Sequence, residues 1–231
     1  ALREALKNPN VIGFVVEPIQ GEAGVLVPDA GYLKKSFDLC RAAGALFVAD
    51  EVQTGLARTG RMFACDYENV KPDILILGKA LSGGVLPVSA VLSTHEIMLT
   101  LKPGEHGSTF GGNPLACAVA RAAVEVLLDE KLAERAMKLG EIFRSEIRAM
   151  NSPIVELVRG KGLLNAIVVK PHGKNLKGEP RTGYDVCHDL ADEGVLAKQT
   201  HVHAIRFAPP LVISEDELAQ GLRAIKKVLA V

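Results

Sequence analysis

The chain has 231 residues, enough for one large domain or two small ones, and 48% of them are hydrophobic, ample for a core. Lysine plus arginine and aspartate plus glutamate each total 27, so no global field favours nucleic acid or an anionic membrane, and the lack of tryptophan argues against base-stacking surfaces. Cys40, Cys65, Cys117 and Cys187 form no CxxC pair and read as small hydrophobes of a reducing compartment, not as a disulfide or zinc framework.

Ala1 to Lys7 places Leu2, Ala5 and Leu6 on one helical face and stops at Asn8-Pro9. The sequence opens inside this helix without a methionine, so its natural beginning is expected upstream. Val11 to Val16 reads as a buried strand ending at Glu17-Pro18, and the loop IQGEAG after it leaves Glu22 at its tip. A helix follows over 30–43, closed by Gly44. Ala45 to Ala49 is a second strand running into Asp50-Glu51, and a glycine-punctuated loop, VQTGLARTGRM, comes next.

Ile74 to Leu77 runs straight into Gly78, Lys79 and the Gly83-Gly84 pair, which suits a strand buried on both faces. Pro87 to Leu92 is a candidate fourth strand, and the breaks at Lys79, Gly83-Gly84 and Pro87 exclude a membrane span. Strand, helix, strand, loop, strand predicts an α/β fold with a parallel sheet and crossovers. Lys102 to Pro114, KPGEHGSTFGGNP, reads as a functional loop, followed by helices over 115–129 and 132–150. From Ile154 the pattern changes to a hairpin around Gly160-Lys161-Gly162, a helix over 184–193, a strand over 204–207 and a helix over 215–229 started by a Ser214/Glu217 capping box. A domain change is therefore expected near residue 120, giving 1–120 and a smaller α+β domain over 121–231.

Two strand ends carry complementary chemistry. A lysine at the carboxyl end of a buried strand sits where open α/β sheets place ligands, and partial burial keeps its amine nucleophilic. A lysine snorkelling from a strand end would look the same. A buried aspartate needs a cation or donors, and for Asp50 either an arginine or a pyridinium nitrogen would serve.

EPIQGEAG, VADEVQTGLARTG, PDILILGKALSGG, GEHGSTFGGNPLAC, RGKGLLNA and RFAPPL follow one another along the whole chain in an order that resembles the class III, fold type I, pyridoxal-phosphate aminotransferases. The resemblance implies that residues 1–120 belong to the large pyridoxal-phosphate-binding domain, with its mostly parallel sheet and flanking helices. It implies that Lys79 holds the cofactor as a Schiff base and then shuttles the substrate proton, while Asp50 salt-bridges the pyridine nitrogen. Val52 would pack on the ring, Gln53 would bond its phenolic oxygen, and Ser108 and Thr109 would reach the phosphate of a neighbouring subunit, which implies a homodimer with shared sites. Glu22 and Arg206 would form a specificity pair, Arg206 binding an oxo-acid carboxylate and Glu22 neutralising it while a diamine reacts.

Within the family, GEAG, PGEHGSTFGGNP and KGLLNA favour the branch that transfers the δ-amine of ornithine to 2-oxoglutarate over the acetylornithine and 4-aminobutyrate branches. The family has about as much chain again ahead of Ala1, supplying a phosphate cup and a stacked aromatic; a non-catalytic half-subunit working with a separate N-terminal chain is the alternative. After Gly84 the chain reads VLP where the family often has an aromatic before the proline. The expected partners are a small-molecule amino acid and a 2-oxo acid, with no nucleic acid, membrane or metal. The expected location is the cytoplasm, or the mitochondrial matrix in a eukaryote.

Overall fold

The computed structural model describes residues 1–230. They form two compact units, one of Ala1–Pro18, Pro28–Leu56 and Arg61–Lys131, the other of Ile19–Val27, Ala57–Gly60 and the described residues from Leu132 onward.

The first unit contains helix α1 (Leu2–Ala5), strand β1 (Gly13–Val16), α2 (Tyr32–Ala42), β2 (Leu46–Asp50), β3 (Ile74–Leu77), β4 (Ala90–Ser93), α3 (His95–Met98) and α4 (Pro114–Asp129). Its sheet has the order β1-β2-β3-β4. β1, β2 and β3 are parallel, with Val15 opposite Val48 and Asp50 opposite Ile76. β4 returns antiparallel to β3, so the sheet is mostly parallel, as expected, with one antiparallel edge strand where a further crossover was the alternative. The twelve residues between those strands suit either a crossover or an antiparallel return. Strand alternation sends Phe14, Val16, Phe47, Ala49 and Leu75 to one face, where they pack with Leu33, Phe37 and Cys40 of α2. Phe37 meets Phe47 edge-on at 5.7 Å. The opposite face is more open. Val15 is 65% exposed, and Ile74 to Ile76 are only half-buried, which corrects the expectation of a strand buried on both sides.

The second unit contains α5 (Leu132–Ala149), β5 (Val155–Lys161), β6 (Leu164–Val169), α6 (Gly183–Asp192), β7 (Lys198–Gln199), β8 (Ala204–Phe207) and α7 (Glu215–Leu229). Its antiparallel sheet runs β5-β6-β8-β7. Leu164 and Ala166 pack beneath Ile19 and Val25, which come from a tight turn far back in the sequence. On the other side Phe143 of α5 meets Phe207 at 5.3 Å, and the buried Arg144 donates to the carbonyl of Gly162 and the side chain of Asn165. The Ser214/Glu217 capping box forms as expected, Ser214 Oγ accepting from Glu217 N–H at 3.1 Å.

The change between units falls after Lys131 and not near residue 120. Ala120 of α4 packs with Leu56, Leu77 and Leu81, which keeps the whole helix in the first unit. Lys131, in the left-handed region at φ 50°, makes the break before α5. One close approach governs the second unit: a Cβ on Gly140, in mid-helix, would lie 1.7 Å from the carbonyl oxygen of Gly162.

Candidate active site

Parallel pairing brings the carboxyl ends of β2 and β3 side by side, which is where α/β sheets bind ligands. β2 ends at Asp50, on the sheet face opposite α2, and β3 leads through Gly78 to Lys79. Asp50 is half-buried; its Oδ1 accepts the Val52 N–H at 3.1 Å. Among the described residues no cation pairs with it. A half-buried carboxylate with one backbone donor retains acceptor capacity for a cationic partner.

Lys79 is exposed and holds φ at 42°, a left-handed conformation that costs a non-glycine residue on the order of 1 kcal/mol or more. It opens a single 3-10 turn, Lys79–Ser82, whose first cap is Gly78. Gly78 is buried, and a Cβ there would lie 3.5 Å from Val52 Cγ1. Val52 therefore packs beside the backbone that carries Lys79. Gln53 is half-buried and engaged in an interaction of its own. Asp50, Val52, Gln53 and Lys79 thus issue from the ends of two adjacent strands.

Sequence reasoning passed over Glu51. Its side chain is 1% exposed, and its carboxylate accepts from Thr54 Oγ1, from Ala64 N–H at 3.0 Å and from Cys65 N–H at 2.8 Å. Such a buried charge is tolerable because several donors converge on it. Glu51 ties the segment carrying Val52 and Gln53 to the turn Ala64–Glu68. Burial together with the Glu51 carboxylate pushes the Cys65 thiol well above its ordinary range, so Cys65 is an inert, packed thiol. Ser108 and Thr109 lie on the exposed loop ahead of α4, where Ser108 Oγ accepts the Gly111 N–H at 2.8 Å.

A second constellation lies within the second unit. Residues 19–27 turn back on themselves through the bridge between Gln20 and Leu26, which presents Glu22 at the tip. The turn needs Gly24 at φ 104°, where a side chain would press on Arg159 and Ala204. Arg159 of β5 clamps it, donating from Nε to Gly24 O at 2.9 Å. Arg159, at the start of the expected hairpin turn, therefore supplies part of Glu22's support. Glu22 Oε1 accepts from Arg206 Nη1 at 2.5 Å, and its Oε2 accepts from Lys198 Nζ at 3.0 Å. Hydrogen bonds from Lys198 and then Arg206 hold the Glu22 carboxyl at a pKa of about 2. Lys198 was not visible in the sequence, because a two-residue strand leaves no periodic signal. Among the described residues no group of three or more His, Cys, Asp or Glu side chains could hold a metal ion.

A family model for class-III aminotransferases matches residues 1–229. The chain belongs to the class-III aminotransferase family. It is 58% identical over 229 residues to the mitochondrial ornithine aminotransferase of Drosophila melanogaster, covering 99% of this chain and 51% of that protein. An ornithine aminotransferase structure from Toxoplasma gondii, with partial occupancy of pyridoxal phosphate at its active site, superposes with a TM-score of 0.93 at 51% identity, covering 99% of this chain and 53% of that one. An acetylornithine aminotransferase structure from Elizabethkingia anophelis gives 0.91 at 55% identity, covering 99% and 57%. The chain spans about half the length of the curated relatives it matches.

Class-III aminotransferases use pyridoxal phosphate, and the residues present fit that group. Asp50 offers a half-buried carboxylate without a cation, and Lys79 an exposed primary amine on the adjoining strand end. Of the expected aminotransferase residues, the structure brings Asp50, Val52, Gln53 and Lys79 to the carboxyl ends of the two central strands and pairs Glu22 with Arg206. Ser108 and Thr109 are exposed on the loop ahead of α4. Among the described residues no helix is long and apolar enough to cross a membrane.

Proposed function

We propose that this chain carries the catalytic lysine and cofactor-orienting residues of a pyridoxal-phosphate-dependent ornithine δ-aminotransferase, which converts ornithine and 2-oxoglutarate to glutamate 5-semialdehyde and glutamate. The observation that carries the reading is Asp50: a half-buried carboxylate, without a cation among the described residues, at the strand end beside Lys79. Pyridoxal phosphate supplies a ring that takes up the electron pair released when the substrate carbon loses its proton. Asp50 holds the proton on the pyridine nitrogen and so keeps that ring electron-poor. Lys79 Nζ is the nucleophile that retains the cofactor, and afterwards it carries the proton between substrate and cofactor. Val52 packs on the ring, Gln53 orients it through the phenolic oxygen, and Ser108 and Thr109 serve the phosphate of a neighbouring subunit in a homodimer. Arg206 takes the oxo-acid carboxylate bidentately, and Glu22 neutralises Arg206 while the diamine reacts.

In this reading the first unit is the C-terminal part of the cofactor-binding domain and the second is the small domain. The protein works in the cytoplasm or, in a eukaryote, the mitochondrial matrix. The visible spectrum of the purified protein with pyridoxal phosphate tests the reading. A bound-cofactor band that bleaches with ornithine, and is lost in Lys79→Ala, is the expected result. Covalent retention of cofactor by Lys79→Ala would overturn the assignment of the lysine. The 55% identity to an acetylornithine aminotransferase favours one rival substrate, and faster bleaching by N-acetylornithine than by ornithine would establish it.

A further inference from the structure

Glu22 is held by two cations, and only one of them has a role in the reading above. β7 pairs with β8 so that Lys198 stands directly opposite Arg206, which puts both side chains on one face of the sheet. They use different oxygens of the same carboxylate: Arg206 reaches Oε1 at 2.5 Å and Lys198 reaches Oε2 at 3.0 Å. Either contact can therefore be released while the other stays. The cations also differ in setting, since the Arg206 side chain is 17% exposed and that of Lys198 is 59% exposed. The two contacts set two cations against one carboxylate, and Arg159 stands on the same face, in register with Arg206 through Ala166.

We propose that Lys198 is a specificity-determining residue that keeps Glu22 compensated when Arg206 turns to an incoming dicarboxylate, so that it sets the balance between the dicarboxylate and the diamine. This rests on the transaminase reading. The sign follows from the charges. With Lys198 present, Arg206 is repelled by a neighbouring ammonium, and Glu22 is not left bare when Arg206 departs. Without it, Glu22 loses one of its two cations and leans on Arg206 alone, so freeing Arg206 costs more. The same loss of positive charge makes the site no worse, or better, for a cationic diamine. Glu22 and Lys198 are half-exposed or more, so solvent screens the pair and limits the effect to about two- to fivefold.

The test uses the holoenzyme that contains this chain, as wild type, Lys198→Met and Lys198→Arg. The measurements are the dissociation constant of glutarate, an unreactive dicarboxylate, by calorimetry, and the KM values for 2-oxoglutarate and ornithine. Lys198→Met is expected to weaken glutarate and raise the 2-oxoglutarate KM by about two- to fivefold, with the ornithine KM unchanged or lower. Lys198→Arg is expected to restore wild-type values, and raised salt to shrink the difference. Both KM values rising together would mark a merely structural lysine and overturn the proposal, as would no change in either. A wild-type holoenzyme that neither bleaches with ornithine nor binds glutarate defeats the transaminase reading itself. A responsive wild type with an unmoved Lys198→Met defeats the Lys198 proposal alone.

Discussion

The runs ILIL of β3 and LNAIVV of β6, the second broken only by Asn165, look alike on paper and meet different surroundings. In the second unit Leu164, Ala166, Ile167 and Val169 are each at most 2% exposed, because helix α5 lies on one side and Ile19 and Val25 close the other. In the first unit α2 covers one face, while Val15, Val91 and the residues in register with them remain partly open. A largely apolar run thus identifies a strand but not how many of its faces are covered. That depends on segments brought in from elsewhere, here a nine-residue turn more than a hundred residues upstream of the strand it covers.

The largest test of this contrast is Gly140→Ala. A mid-helix glycine replaced by alanine ordinarily gains about 1 kcal/mol of helix propensity. Here the new Cβ would sit 1.7 Å from a backbone oxygen and 2.3 Å from its carbon, so backbone must move. Overpacking of that kind outweighs the propensity, and a net loss of about 3 kcal/mol or more is expected. A denaturant midpoint that stays or rises would show that the second unit is looser than its glycine contact requires.

A matched pair of truncations compares the sheets directly. Ile167→Ala is expected to cost about 2–5 kcal/mol, and Val15→Ala about 1 kcal/mol or less, since Val15 has little burial to lose. Equal shifts in the denaturation midpoint would erase the distinction between the two sheets.

The smallest effect is acid sensitivity. The carboxyls of Glu22, Glu141, Asp185, Glu215 and Glu217, all in the second unit, are held below their ordinary values by hydrogen bonds, with nearby cations adding to the effect. A carboxyl depressed on folding contributes stability that is complete above its unfolded value and disappears as pH falls through the folded one. For Glu22 that window runs from 4.5 down to about 2. Protection factors of second-unit amides should decline steadily across that range, modestly because these groups are largely exposed. Protection that stays flat down to pH 2 would contradict the assignment.

Much of this was legible because local chemistry and fold agree. The limits of β3, β8 and α7 follow from where apolar runs stop and where Ser214 can cap. Asp50 and Lys79 were visible because each interrupts an apolar run at its carboxyl end. β4's direction was not, because its connection carries no signal that separates a crossover from a return. Lys198, Arg159 and Glu51 escaped for a shared reason: each acts through a partner distant in sequence or through its burial, and a residue's neighbours in the chain say nothing of either.

Asp50 and Glu51 adjoin, carry the same charge and differ by one methylene, yet one is sealed among three donors and the other keeps acceptor capacity beside Lys79. For anyone redesigning this site the dipeptide is therefore not one unit. Varying position 50 retunes what the strand end offers a ligand and leaves the frame standing. Varying position 51 removes the fastening of the segment that follows, so a library randomising both would discard most of its members before any of them met a substrate.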